Sequence, residues 1–372
     1  MTSAPKVRDI FRFLNEAAPV ERAEDYDNVG ILAGDPEGEV TRALIALDIT
    51  VPVVREAAEC GAQLVVSHHP VIFHPVRAVL RAGRTAALHG LLANGLTAVC
   101  MHTNLDLADI GVSDCLAERL GLTHTGILQT EGRANYKKVV VFVPGTHAGA
   151  VREAMTAAGA GAFGGYDRCT FESAGSGRFR PLAGAKPYFG REGETARADE
   201  IRLETLCAPG KLGAVLEAMR AAHPYEVPAF DVFDDEALSA PYGLGRVGAL
   251  PESMELADFA TFVRDRLGCG RVKVIPSAGG AETIRRAAVS GGSGDESLTE
   301  AARGAGADVL VVGELKHSAQ IAAAQTGVHV IVAGHFATEN AVCPYLQRIL
   351  SGAFAQTAFT VARENRDPGY FI

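Results

Sequence analysis

The stretches GAQLVVSHH (61–69) and GADVLVVGE (306–314) are two readings of one pattern. Each opens on a glycine that ends a helical stretch, continues through a short apolar run, and stops at side chains able to hold a cation. Valine-rich runs of this length, separated by helix-length stretches, are strands of a mainly parallel sheet covered by helices. Working outward, the first 130 residues alternate RALIALDI, the helical PVVREAAECG, AQLVVSHHP, a helix around 86–94, and TAVCMHTN. The last 130 repeat the theme with RRAAVSGGSG, a helix around 296–305, ADVLVVGE, a helix over 317–325, VHVIVAGH and a helix over 338–350. In both copies the next strand ends in a histidine followed four residues later by a carboxylate: His102 with Asp106, and His335 with Glu339. The pattern predicts a duplicated α/β domain with halves at 1–130 and 245–372.

Between the halves the character changes. Residues 135–235 spell β-α-β-β-α-β, provided that the Gly-rich stretch ending near Gly193 carries a short strand. That order predicts a ferredoxin-like α+β insert, a kind of insertion tolerated at a surface loop.

Composition narrows the function. The chain has 372 residues and a formal charge of -9, which argues against nucleic acid or an acidic membrane as the main partner, a local patch at Arg77, Arg81 and Arg84 notwithstanding. Seven cysteines without a C-x-x-C pair fit a reducing compartment better than a disulfide scaffold or thiolate zinc site. The first residues lack the apolar core of a signal peptide, and no window has the roughly 18–20 apolar residues of a membrane span, so a cytoplasmic protein is expected.

Ligands bind beyond the carboxyl ends of parallel strands, where His68, His69 and the two His-x-x-x-carboxylate elements fall. Adjacent strand residues point to opposite faces, so His68 and His69 share a cavity only if the strand breaks before Pro70; otherwise one is a core residue and the other a surface residue. One helical turn would bring His335 and Glu339 to a common ion, and Thr103 or Asn104 could cap a turn carrying Asp106. The alternatives are a helix-start cap for Glu339 and a solvated turn for Asp106. Together His68, His69, Asp106, His335 and Glu339 form a mixed N/O set suited to zinc, iron, manganese or cobalt. Two such divalent ions, about 3.5–4 Å apart, would share a carboxylate and activate water. His317 is the candidate catalytic proton carrier, and His102 an orienting partner.

Three other motifs have plainer readings. Asp27 and Asn28 suggest an Asx turn, VSGGSG (289–294) a tight strand-to-helix turn in preference to a phosphate cradle, and His223 to Glu226 a turn with a packed tyrosine.

SHHPVIF, HTNLD and GHFATE, with YDNVG, SGGSG and VGELKHSA, resemble the NIF-three-like family, whose bacterial members are often named GTP cyclohydrolase 1 type 2 homologs. The resemblance covers about 250 residues, and the insert is similar to PII and CutA proteins. It implies metal ligands at His68, His69, Asp106, His335 and Glu339, a histidine facing the metals at His317, and a toroidal homohexamer. Tyr26 stands where the family often has tryptophan. The metal set and its activated water predict metal-dependent hydrolysis of a small nucleotide-like or phosphorylated compound, a reaction that the resemblance does not itself specify. A non-catalytic regulatory or assembly role is the alternative.

Overall fold

The valine-rich runs form strands where their spacing places them. In the computed structural model, which describes residues 4–370, one unit of the chain comprises residues 1–131 and 242–372. Its first part runs α1 (Val7–Ala17), β1 (Gly30–Ala33), β2 (Arg42–Ala46), α2 (Val51–Glu59), β3 (Leu64–Ser67), α3 (Ala86–Ala93), β4 (Thr97–Cys100), α4 (Thr103–Asp106) and α5 (Val112–Arg119). Strand β5 (Thr123–Pro144) carries the chain into the other unit, residues 132–241, which holds α6 (Gly145–Ala157), β6 (Thr170–Phe179), β7 (Ala196–Cys207) and α7 (Leu212–Ala222). Strand β8 (Phe230–Glu255) brings it back to α8 (Leu256–Leu267), β9 (Lys273–Ile275), β10 (Thr283–Gly294), α9 (Glu296–Gly304) and β11 (Val309–Leu315). The chain finishes with α10 (His317–Ala323), β12 (His329–Val332), α11 (His335–Glu339), α12 (Val342–Ala353) and β13 (Ala358–Val361). No helix among the described residues is long and apolar enough to cross a membrane.

The larger unit contains two mixed arrays of strands. In the first, ordered β1-β4-β3-β2-β13, strands β13, β2, β3 and β4 are parallel and β1 is antiparallel. In the second, ordered β8-β10-β11-β12-β9, the central three are parallel and both flanking strands antiparallel. Alternation along the strands supplies the cores. Ala43, Ile45, Leu64, Val66 and Val99 face one layer of helices, while Leu44, Val65 and Ala98 face the other. In the second array Val289, Val309 and Val311 face one core, and Ala288, Leu310 and Val312 the other. Thr50 and Asp295 accept backbone N–H bonds at the starts of α2 and α9, fixing where those helices begin. Buried Arg246 on β8 donates to both oxygens of Asp114 on α5, at 2.7 Å each, and to the Ala108 carbonyl.

The smaller unit has strand order β6-β7-β5-β8, with β5 and β6 antiparallel to β7. Val139, Val141, Val143 and Leu203 form a core with Val151 and Met155 of α6 and Val215 and Met219 of α7. The Gly-rich stretch does carry a strand, β6. The expected limits at 135 and 235 fall inside β5 and β8, which pass without interruption from one unit to the other. The helix expected over 338–350 is broken at Asn340 and Ala341. Pro344 has no N–H to give to the Asn340 carbonyl, so a continuous helix would lose a bond there.

Candidate metal centre

Strand β3 stops at Ser67, and the chain bends at His68 and His69. Their backbone N–H groups still reach the carbonyls of Ala46 and Leu47, and the Ser67 hydroxyl donates to the His69 carbonyl at 2.8 Å. The break turns both rings to one side, with centroids 5.0 Å apart. His68 is fully buried, and its Nδ1 lies 2.9 Å from the Met101 carbonyl. A carbonyl accepts only from N–H, so Nε2 carries the lone pair. It is buried and has no partner. His69 is fixed likewise, its Nδ1 2.8 Å from Asp48 Oδ1.

Helix α11 is little more than one turn, and its two ends are His335 and Glu339. Glu339 Oε2 lies 3.0 Å from Nε2 of both His335 and His69, while Oε1 is 3.9 Å from His68 Nε2. Asp106, the last residue of α4, puts Oδ1 3.7 Å from His68 Nε2. Nε2 of His335 and of His69 are 3.3 Å apart. The fold thus gathers His68, His69, Asp106, His335 and Glu339 from both halves of the larger unit. Glu339 closes its short helix and does not begin it, so a helix-start cap is not its role. Neither Thr103 nor Asn104 caps α4: Thr103 donates its hydroxyl to Asp27 Oδ2, and Asn104 bonds to the Ala18 carbonyl.

The charges around these atoms are unbalanced. Burial and the charge of Glu339 push Asp106 well above the usual carboxylate range, with His69 opposing. Burial also opposes ionisation of Glu339, but His335 and His69 hold it well below its ordinary value. Burial pushes His68 down to about 4, against the pull of Glu339. His69, despite its own burial, is held up at about 10 by Asp48 and Glu339. Glu339 Oε2 is buried and makes no aligned hydrogen bond even though two imidazole nitrogens lie 3.0 Å away. The buried His68 Nε2 without a donor, costing about 1–3 kcal/mol, together with two adjacent carboxylates, is what a bound cation relieves. His69, His335 and Glu339 bring ligand atoms within 4.8 Å of one another, as do His68, His69 and His102. The donor set fits a divalent metal.

Two carboxylates that hold this site escaped the sequence reading. Asp48 ends the RALIALD run as His68 ends LVVS, and that shared position at a strand's carboxyl end was the available signal. Asp27, read as an Asx turn, does accept the Asn28 N–H, but its Oδ1 also lies 2.8 Å from His102 Nδ1. Thr103 and His102 keep Asp27 below its ordinary pKa against the effect of burial. The His102 ring stands 5.2 Å from that of His68 and 5.4 Å from that of His69, and it lines the cavity. His317 is exposed at the start of α10, and no hydrogen bond, ion pair or cavity wall among the described residues joins it to the cluster.

The cavity in front of the cluster has a volume of about 520 Å³. Tyr26 and Phe73 stand at its wall with rings 6.4 Å apart, edge to face. Residues 289–294, expected as a strand-to-helix turn, belong to β10, whose register shifts between Ser290 and Ser293. Gly291 in that irregularity forms another wall, and the N–H groups of Gly291 and Gly292 are spent on the hydroxyls of Ser113 and Thr338. Gly292 has φ +67°, and a Cβ there would come within 2.1 Å of Glu339 Oε1. Glycine is required by both backbone and carboxylate.

Residues 5–368 match the model of the Duf34/NIF3 (NGG1p interacting factor 3) family. The chain is 35% identical over 372 residues to the GTP cyclohydrolase 1 type 2 homolog of Halalkalibacterium halodurans, covering 98% of each. It is 36% identical over 340 residues to the protein of the same name from Bacillus subtilis, covering 91% of this chain and 90% of that one. A Bacillus cereus protein related to NIF3, of known crystal structure, superposes with a TM-score of 0.80 at 34% identity over 100% of both chains. With its full-length match to the model and these relatives, the chain belongs to the Duf34/NIF3 family.

Proposed function

We propose that this protein is a metal-dependent hydrolase of a small nucleotide-like or phosphorylated compound, with two divalent ions held by His68, His69, Asp106, His335 and Glu339. The buried, unpartnered Nε2 of His68 carries the reading, because a lone pair facing two carboxylates has no use there without a cation. Zinc, iron and manganese suit the donors. Bound in such a site, divalent metals supply Lewis acidity and lower the pKa of water. The chain's own residues supply the rest. Asp27 holds His102 by Nδ1, so its Nε2 is the nitrogen left to exchange a proton at the cavity. His102 therefore takes precedence over His317 as proton carrier, since His317 would have to reach the cavity through a movement of α10. Tyr26 and Phe73 offer ring faces and edges to a planar group.

The relatives' name suggests opening of the imidazole ring of GTP with release of formate. Formate measured from GTP with each metal restored, beside a panel of nucleotides and phosphoesters, tests the range. No turnover above that of a His68→Ala, His69→Ala variant on any of them would refute hydrolysis. The site joins β3 and α4 to α11, so bound metal also stabilises the fold by linkage, which favours a regulatory or assembly role as the second reading. Metal-dependent stability without turnover would select it.

The same proposal includes a duplicated domain, since both arrays set an antiparallel strand beside a run of parallel ones, four in the first and three in the second. It includes a ferredoxin-like insert, supported by the order β6-β7-β5-β8. A toroidal homohexamer in the cytoplasm completes it, without nucleic acid or membrane as partner. Sedimentation of the purified protein tests the hexamer.

A further inference from the structure

The turn from His223 to Glu226 is more than a packed corner. With the strand β6 and the loop that follows it, this turn encloses a second cavity of about 400 Å³, wholly within the smaller unit. Phe142, Phe179, Tyr188 and Tyr225 line it on the apolar side, and Glu200 and Glu226 on the polar side. The aromatic wall is braced by edge-to-face packing, Phe189 standing 5.3 Å from Phe179 at 76° and 6.3 Å from Tyr188 at 85°.

Both carboxylates are tied by one oxygen and free at the other. Glu200 Oε1 accepts the Tyr225 hydroxyl at 2.9 Å, and Glu226 Oε1 accepts the Lys186 N–H at 3.0 Å. Burial and the neighbouring Glu200 carboxylate raise the Tyr225 hydroxyl well above its ordinary value, so it stays a donor. Space beside the free Glu200 oxygen is kept by Gly177, where a Cβ would come within 2.2 Å of Oε2. Arg178 also lines the cavity, is exposed, and pairs with neither carboxylate. Two carboxylates against one guanidinium leave the lining net negative. Ring faces attract cations, and carboxylate oxygens that lose water need N–H donors. An anionic occupant would satisfy neither, and a neutral one would leave the negative charge of the lining uncompensated.

We propose that this cavity binds a small organic cation bearing N–H donors, of the alkylamine or guanidine class. Agmatine, which has both kinds of head group, and putrescine are the probes, with n-butanol as a neutral control. Calorimetric titration of the full chain should show one agmatine bound per chain, weakening as salt is added and unchanged by a metal chelator. Glu200→Gln should weaken it about 10-fold or more through loss of a charge-assisted bond. Tyr188→Ala, at a half-exposed ring whose removal spares the core, should weaken it about 3–10-fold through loss of a cation–π face. Gly177→Ala should act like Glu200→Gln by displacing that carboxylate, and the melting temperature of each variant checks that it folds. Absence of saturable binding of either amine up to about 10 mM at low salt would overturn the proposal. So would binding that n-butanol matches, or that Glu200→Gln and Tyr188→Ala leave unchanged in folded protein.

Discussion

Replacing Glu339 by Gln separates a metal ligand from a structural acid. The side chain is 6% exposed and places one oxygen 3.0 Å from two imidazole nitrogens and the other 3.9 Å from a third. Glutamine preserves this shape but removes the charge that faces all three. Loss of groups that merely orient ligands already costs 10–100-fold in metal affinity, so loss of a shared ligand charge should cost at least that, about 1.4–2.8 kcal/mol. The same amount should vanish from the stabilisation that saturating metal gives against denaturant, since that gain scales with the logarithm of metal concentration over Kd. A surface acid with a dipole role would cost only about 0.3–1 kcal/mol and leave affinity alone. Zinc titration and urea unfolding with and without metal measure both quantities. Equal zinc affinity and stoichiometry in variant and wild type would refute the assignment.

Other substitutions probe the supports of the site. Gly292→Ala should reduce metal affinity about 10-fold or more, because its Cβ intrudes on Glu339 Oε1 at a backbone φ of +67°; unchanged affinity in a zinc titration would contradict the packing argument. Asp114→Asn leaves buried Arg246 without its counter-charge and should cost about 3 kcal/mol in urea unfolding, whereas a change below about 1 kcal/mol would make the pair a surface contact in effect. Glu56 accepts the N–H groups of Arg363 and Glu364 and the Arg363 side chain; these hold it below its ordinary value although burial opposes them. Its folded pKa is depressed, so its stabilisation is complete above the ordinary glutamate range and disappears as pH falls through the folded value. The melting difference between wild type and Glu56→Gln should therefore be largest near neutrality and shrink in acid, and a difference that grows on acidification would reverse the sign.

What could be read from the sequence followed from short-range physics. Apolar alternation and the glycines at 61 and 306 marked the strands and helix ends, and the four-residue spacing of His335 and Glu339 needs only one helical turn. The anchors of the imidazoles could not be read this way. Asp27 and His102 are 75 positions apart, and Asp48 and His69 are 21 apart, so which acid meets which ring depends on strand order. The fate of VSGGSG was hidden for the same reason, because Ser113 and Thr338, which take its N–H groups, lie far away in the chain. His317 marks how far position alone can be read. A residue at the start of a helix after a strand has the right address, yet its side chain is exposed away from the cluster's contacts.

The anchors of His68 and His69 differ in kind, and that difference has a consequence for how the site fills. A backbone carbonyl, as behind His68, accepts a hydrogen bond without adding charge; a carboxylate, as behind His69, also pushes electron density through the ring and makes Nε2 the stronger donor. In the proposed two-ion centre, the position that His69, His335 and Glu339 would serve is then expected to bind metal more tightly than the one that His68 and Asp106 would serve. On that proposal loading is sequential, the first equivalent of metal surviving dialysis and the second being lost, and metal analysis before and after dialysis checks it.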